Sequence, residues 1–110
     1  MEEQKEIILS KDTRGIIVFA ENEEYEDEKW VILINRIEED CDGELRIIRH
    51  VSYDITNRIF YTDGNYEGYW GLINGYTFYM ATEEQKQIIK NILKKQNKRF
   101  IKIINQVIDR

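Results

Sequence analysis

A chain of 110 residues, 42% hydrophobic and 34% charged, has the size and composition of one soluble domain. Its net charge of −5 is unevenly placed: residues 1–80 carry eighteen acidic and eight basic side chains, residues 81–110 three and eight. No apolar run approaches the roughly 20 residues that span a bilayer, and a lone cysteine, Cys41, excludes an internal disulfide.

The opening residues, Met1-Glu2-Glu3-Gln4-Lys5-Glu6, are acidic and do not read as a secretory signal. With a single cysteine, this points to a reducing, cytoplasmic setting. The absence of proline fits a compact fold without a Pro-rich linker.

Residues 6–9 and 15–20 read as two strands around Asp12-Thr13-Arg14. Residues 21–28 read as an acidic loop joining two strands. The next strand, residues 29–37, has Trp30, Ile32 and Ile34 alternating with Val31, Leu33 and Ile37. Both its faces are apolar, which predicts a central position in the sheet.

Three dipeptides then punctuate the chain: Asp42-Gly43, Asp63-Gly64 and Asn74-Gly75. Such pairs tolerate positive φ at both centres of a type I′ turn, so each predicts a two-residue hairpin. The first joins residues 29–37 to 44–51, the second residues 58–62 to 65–73, and the third leads into Tyr76–Met80. In the strand over residues 65–73, Tyr66, Gly68, Trp70 and Leu72 share one face, and Gly68 and Gly71 predict a bend.

The period then changes from two to 3.6. Thr82-Glu83-Glu84-Gln85 has the form of a capping box, followed by Ile88, Ile89, Ile92 and Leu93 at helical spacing. The stripe can be extended through Phe100, Ile103, Ile104 and Val107, with a break predicted near Asn97; beyond it residues 99–108 read as helix or strand, helix being favoured. The whole predicts an α+β domain over residues 1–110. Residues 1–80 form an antiparallel, curved meander of six or seven strands. Residues 81–110 form a basic amphipathic helix or helix pair packed on it.

The segment Ala81-Thr82-Glu83-Glu84-Gln85-Lys86-Gln87, with Leu93, Lys98, Arg99 and Phe100 after it, resembles small uncharacterised proteins of gut bacteria and their phages. These share an Ala-Thr-Glu-Glu-x-Lys-Gln helix after a strand-rich start, then a Lys-Arg-aromatic strand. In those proteins the aromatic is usually Trp, where this chain has Phe100 before Ile101-Lys102-Ile103-Ile104. The resemblance covers the last quarter of the chain. It implies a phage or mobile-element setting and no activity.

No residue set has the pattern of catalysis. His50 lacks a neighbouring nucleophile and orienting carboxylate in the sequence. Cys41 stands among acids, which disfavour a thiolate. Asp40, Asp42 and Glu44 alternate, but position 12 counted from Asp40 is Val51, so no EF-hand closes. No cysteine and histidine spacing suits zinc, and no Gly-rich loop opens a helix. The reading is therefore a non-enzyme without metal or cofactor.

Candidate protein-binding residues are Glu21, Glu23, Glu24, Tyr25, Glu26, Asp27 and Glu28 of the acidic run, with Tyr66, Tyr69 and Trp70 as aromatic anchors. The partner these imply is a basic protein, in one form a host nucleic-acid-handling or defence protein that this chain inhibits. Nine of thirteen aromatics lie from Tyr53 to Tyr79, but the acids among them oppose a direct nucleic-acid platform. Lys86, Lys90, Lys94, Lys98 and Lys102 form a ridge, read as the solvated face of the helix. A homodimeric assembly module and a nucleotide or other small-ligand binder are the alternatives.

Overall fold

The computed structural model describes residues 4–62 and 70–96. Six strands form one sheet: β1 (Glu6–Ile7), β2 (Ile16–Asn22), β3 (Lys29–Glu39), β4 (Leu45–Asp54), β5 (Ile59–Thr62) and β6 (Tyr76–Met80). One helix, α1 (Glu83–Gln96), follows. The strand order is β1-β6-β2-β3-β4-β5, and every pairing is antiparallel. The fold is the α+β sheet-and-helix arrangement that the sequence predicts.

Strand alternation divides the core in two. Val18, Ala20, Trp30, Ile32 and Ile34 point to one side and pack with Leu9, Ile47, Trp70 and Phe78. Ile17, Phe19, Val31, Leu33 and Val51 point to the other, where Ala81, Ile89 and Leu93 cover them. The strand with two apolar faces, β3, is central because each face has its own cover. An irregularity in the β3–β4 register between Ile34 and Ile37 changes the parity. Ile37, odd-numbered, thereby joins the even-numbered face.

The hairpin at Gly43 forms, with a different turn from the one predicted. Gly43 N–H donates to the Asp40 carbonyl at 3.0 Å, and Asp40 N–H to the Glu44 carbonyl at 2.8 Å. Gly43 takes φ 82° while Asp42 keeps an ordinary φ, so the loop has three residues and one left-handed position. Asp40 explains the preference: its Oδ1 accepts the N–H groups of Asp42 at 2.9 Å and Glu44 at 3.0 Å.

Asn74-Gly75 also turns, with φ 94° at Gly75 alone, and does not make a hairpin. The chain before it lies along β4: Ile47 N–H donates to the Gly71 carbonyl at 3.0 Å and Ile73 N–H to the Leu45 carbonyl at 3.2 Å. The chain after it is β6, which runs between β1 and β2. One tight turn thus crosses from the β4 flank to β6, which requires the sheet to curl. Trp70 fills the curl, with ring centroids 5.6 Å from Trp30, 4.8 Å from Tyr76 and 5.9 Å from Phe78. Leu72 is exposed while Trp70 is buried, so the two do not share a face as predicted.

The capping box forms as read. Gln85 N–H donates to Thr82 Oγ1 at 3.2 Å, and Thr82 N–H donates to Gln85 Oε1 at 2.9 Å. Gln4 Nε2 donates to the same Gln85 oxygen at 2.8 Å and to the Met80 carbonyl at 3.0 Å, tying the chain start to the helix start. Ile89 and Leu93 are the buried stripe of α1, and Ile88 and Ile92 flank it half-buried. The predicted turn at Asp63-Gly64, the break near Asn97 and the continuation through Val107 lie outside the described residues.

Candidate functional site

Asn22 closes β2 and organises the acidic segment after it. Its Oδ1 accepts the N–H groups of Glu24 at 2.8 Å and Tyr25 at 3.0 Å, an Asx turn. Its Nδ2 donates to Glu28 Oε2 at 3.1 Å. The Tyr76 hydroxyl donates to the other Glu28 oxygen. The loop is therefore residues 23–28, shorter than predicted, because Glu21 belongs to β2 and pairs with Lys29 and Thr77.

Asp54 builds the neighbouring turn in the same way. Its Oδ1 accepts the N–H groups of Thr56 at 3.1 Å and Asn57 at 3.2 Å, and its Oδ2 accepts Asn57 Nδ2 at 2.8 Å. The two turns are joined. The Thr56 hydroxyl donates to the Asp27 carbonyl, and Ile55 N–H donates to the Lys29 carbonyl at 3.0 Å.

Between these turns is a cleft of about 440 Å³ at one end of the curled sheet. Its aromatic walls are Trp30, Tyr61 and Tyr25, and Asp27, Glu28 and Asp54 supply carboxylates. Trp30 and Tyr61 rings stand 5.7 Å apart, tilted by 48°. Register places them together: Trp30 pairs with Asp54, Ser52 with Tyr61, and Trp30 and Ser52 share the inner face.

Among the described residues, the carboxylates of this end form no ion pair. The ion pairs among the described residues are Arg36–Glu38 at 2.6 Å, Arg46–Asp40 at 3.0 Å and Lys86–Glu83 at 3.4 Å. None involves Asp27, Glu28 or Asp54, although Lys29 and Arg58 are close in sequence. The far end of β3 differs: a depression of about 650 Å³ there mixes Lys11, Arg14 and Arg36 with Asp12, Glu38 and Glu39.

Of the candidate anchors, Tyr25 is the exposed one, with 58% of its surface accessible. Trp70 is 7% accessible and is core filling, held by three aromatic neighbours; this removes it from the surface where an anchor stands. Tyr66 and Tyr69 lie outside the described residues. Glu23, Glu24, Glu26 and Asp27 are exposed on the loop. Trp30, Asp54 and Tyr61 are site residues that the sequence reading missed. Asp54 had a signal, since an Asp two and three residues before Thr56-Asn57 between strands suits an Asx turn. Trp30 and Tyr61 had none without the register.

His50 lies inside the curled sheet with 2% of its surface accessible, and its Nδ1 is 3.1 Å from Ser52 Oγ. Cys41 is exposed at the β3–β4 turn. Among the described residues, no three His, Cys, Asp or Glu side chains are arranged to hold a metal, and no helix is long and apolar enough to cross a membrane. Lys86 pairs with Glu83, Lys90 is half-buried and Lys94 is exposed; Lys98 and Lys102 lie outside the described residues.

No protein-family model, curated protein or solved structure matches this chain.

Proposed function

We propose that the chain is a protein-binding module, not an enzyme, and that its partner presents a basic surface to the end carrying residues 23–28. The observation that carries this reading is the set of carboxylates gathered there, none of which forms an ion pair among the described residues. Asp27, Glu28 and Asp54 stand around one cleft, with Glu23, Glu24 and Glu26 on the loop beside it. Glu28 and Asp54, held by the turns, keep a fixed negative field beside the exposed loop acids, which suits steering of a cationic partner.

Against catalysis by His50 and Ser52 stands their burial. Ser52 and His50 have the chemistry of a nucleophile and a base, yet they are 0% and 2% accessible. One form of the function is occupancy of a groove built for nucleic acid, with carboxylates in place of phosphates.

Pull-down with the immobilised protein tests the reading when run beside a chain carrying Glu23→Gln, Glu24→Gln, Glu26→Gln and Asp27→Asn. The expected result is a basic protein retained by the native chain at low salt, lost from the neutralised one, and displaced by nucleic acid. Equal retention by both chains overturns the assignment of the surface. Retention of no basic protein overturns the function.

A further inference from the structure

We infer that the open edge of the sheet at β1 takes an extended segment of the partner, alternating apolar and basic residues, as an added strand. This rests on the reading of the partner as basic, and it names how that partner is held.

β1 is an outermost strand, and its pairing fixes which backbone groups face outward. Met80 N–H donates to the Lys5 carbonyl at 2.8 Å, while Ala81 N–H donates to Ile17 on the β2 side at 3.2 Å. Lys5 and Ile7 therefore turn their backbone groups toward β6, because an antiparallel ladder alternates. Glu6 and Ile8 turn theirs away from the sheet. Neither backbone makes a hydrogen bond among the described residues. The open stretch ends at Ser10, whose N–H donates to Thr13 Oγ1 at 2.9 Å. Proteins blunt such edges with proline, bulges or charge. This chain has no proline, the β1–β6 register is regular, and the outward position after Glu6 is Ile8, with 91% of its surface accessible.

The surroundings of the edge say what fits it. Ile7 and Leu9 turn to the inner face, and beside them a recess of about 190 Å³ reaches Ile73. An added strand sends every second side chain to that face, so the recess seats an aliphatic one. The carboxylates of Glu6 and Glu23 also line it, and no basic side chain does among the described residues. Neither carboxylate forms an ion pair there. Glu23 accepts the Thr77 hydroxyl at 3.4 Å and opens the acidic loop, so this edge is continuous with the partner-facing end. A basic segment relieves the acidity of the edge. A second copy of β1 would bring a further Glu6 to it and add to the repulsion.

The probe is the capped pentapeptide Val-Lys-Val-Lys-Val, with Val-Glu-Val-Glu-Val as its acidic counterpart. Binding to the native chain is read by NMR from the backbone amides of Glu6 and Ile8 and from their hydrogen exchange. Expected is saturable movement of both amides by the lysine peptide, with an affinity on the order of millimolar, as a few main-chain bonds and one seated side chain supply. Exchange of both amides slows at saturation, which contact through side chains alone does not produce. Ile8→Pro removes the outward N–H without touching a bond to β6 and weakens binding by about tenfold, whereas Ile8→Thr keeps the N–H and most of the affinity. Should Ile8→Pro fail to fold, the fully N-methylated lysine peptide takes its place and is expected not to bind. Equal binding of the acidic peptide overturns the inference, and so do unmoved amides or unchanged exchange. Concentration-dependent movement of the same amides without peptide would assign the edge to a second copy and overturn it as well. A basic protein retained equally by the native and Ile8→Pro chains in the pull-down would leave the proposed function standing and remove this inference. Peptide pairing without any retained basic protein would leave the edge site standing and remove the proposed function.

Discussion

Ser52 Oγ lies 3.1 Å from Nδ1 of His50, and both side chains are sealed inside the curled sheet. They share the inner face because their partners on β3 do: Ile34 opposite His50 and Ile32 opposite Ser52. Two polar groups in an apolar interior are tolerated when they satisfy each other.

That relationship makes Ser52→Ala costly. The change leaves His50 Nδ1 without this hydroxyl in a buried site, a loss of about 1–3 kcal/mol. Urea unfolding followed by tryptophan fluorescence measures it. A midpoint within error of the native chain would show that the bond adds nothing.

Helix docking rests on Ile89 and Leu93, which are buried against Ile17, Phe19, Val31, Leu33 and Val51. Leu93→Ala opens a void under α1 and costs about 2–5 kcal/mol. Ile88→Ala, at a half-buried position, costs less. Comparable losses for the two in thermal unfolding would mean that the helix is rotated from this placement.

Thr82→Ala removes one half of the capping box and costs about 0.5–2 kcal/mol, while Thr82→Ser keeps the acceptor and most of the stability. Gln85→Ala loses its own half and also the bond from Gln4. A double-mutant cycle of Thr82→Ala with Gln85→Ala is expected to be non-additive, since the two residues bond to each other. Strict additivity of the measured losses would contradict the reciprocal cap.

At the β3–β4 turn, Gly43→Ala has room for its methyl group, with Glu39 Oε1 the nearest atom at 3.8 Å. The cost comes from φ 82° alone and is about 1 kcal/mol. Gly43→Asn should cost less, because asparagine tolerates the left-handed region. Chemical denaturation of the two variants separates them, and equal losses would point to a clash in place of backbone strain.

Asp40 makes the turn sensitive to acid. The Arg46 side-chain bond, then the Glu44 backbone N–H, hold its carboxyl below the ordinary aspartate range. A pKa lower in the folded state means that the native form is favoured above the unfolded pKa. This contribution fades as pH falls through the folded value. Arg46→Ala is expected to raise the Asp40 midpoint toward that of a free aspartate, without reaching it, since the Glu44 and Asp42 bonds remain. Carbon-detected NMR of the Asp40 carboxyl reads the midpoint directly; no movement in Arg46→Ala would break the assignment of cause.

Much of the fold was legible because it is local. Alternation in β3, the period change after Met80 and the Thr82–Gln85 spacing each act within a few residues, and each appears where it was read. The turn types were not legible. Asp42-Gly43 permits a type I′ turn, but the Asp40 carboxylate, by capping the N–H groups of Asp42 and Glu44, favours the three-residue loop. Trp70 was read as a surface anchor because a tyrosine-rich strand suggests one; burial against Trp30, Tyr76 and Phe78 decides otherwise.

The sequence alone determined the strand-then-helix order, the central place of β3, the helix cap and the acidity of residues 21–28, since these follow from periodicity and composition along the chain. Only the tertiary structure decided that Trp30, Asp54 and Tyr61 meet below that acidic loop. Their meeting depends on strand register and on the curl of the sheet. These are set by long-range strand pairing and by packing around Trp70, and nothing within a few residues of any of the three encodes them.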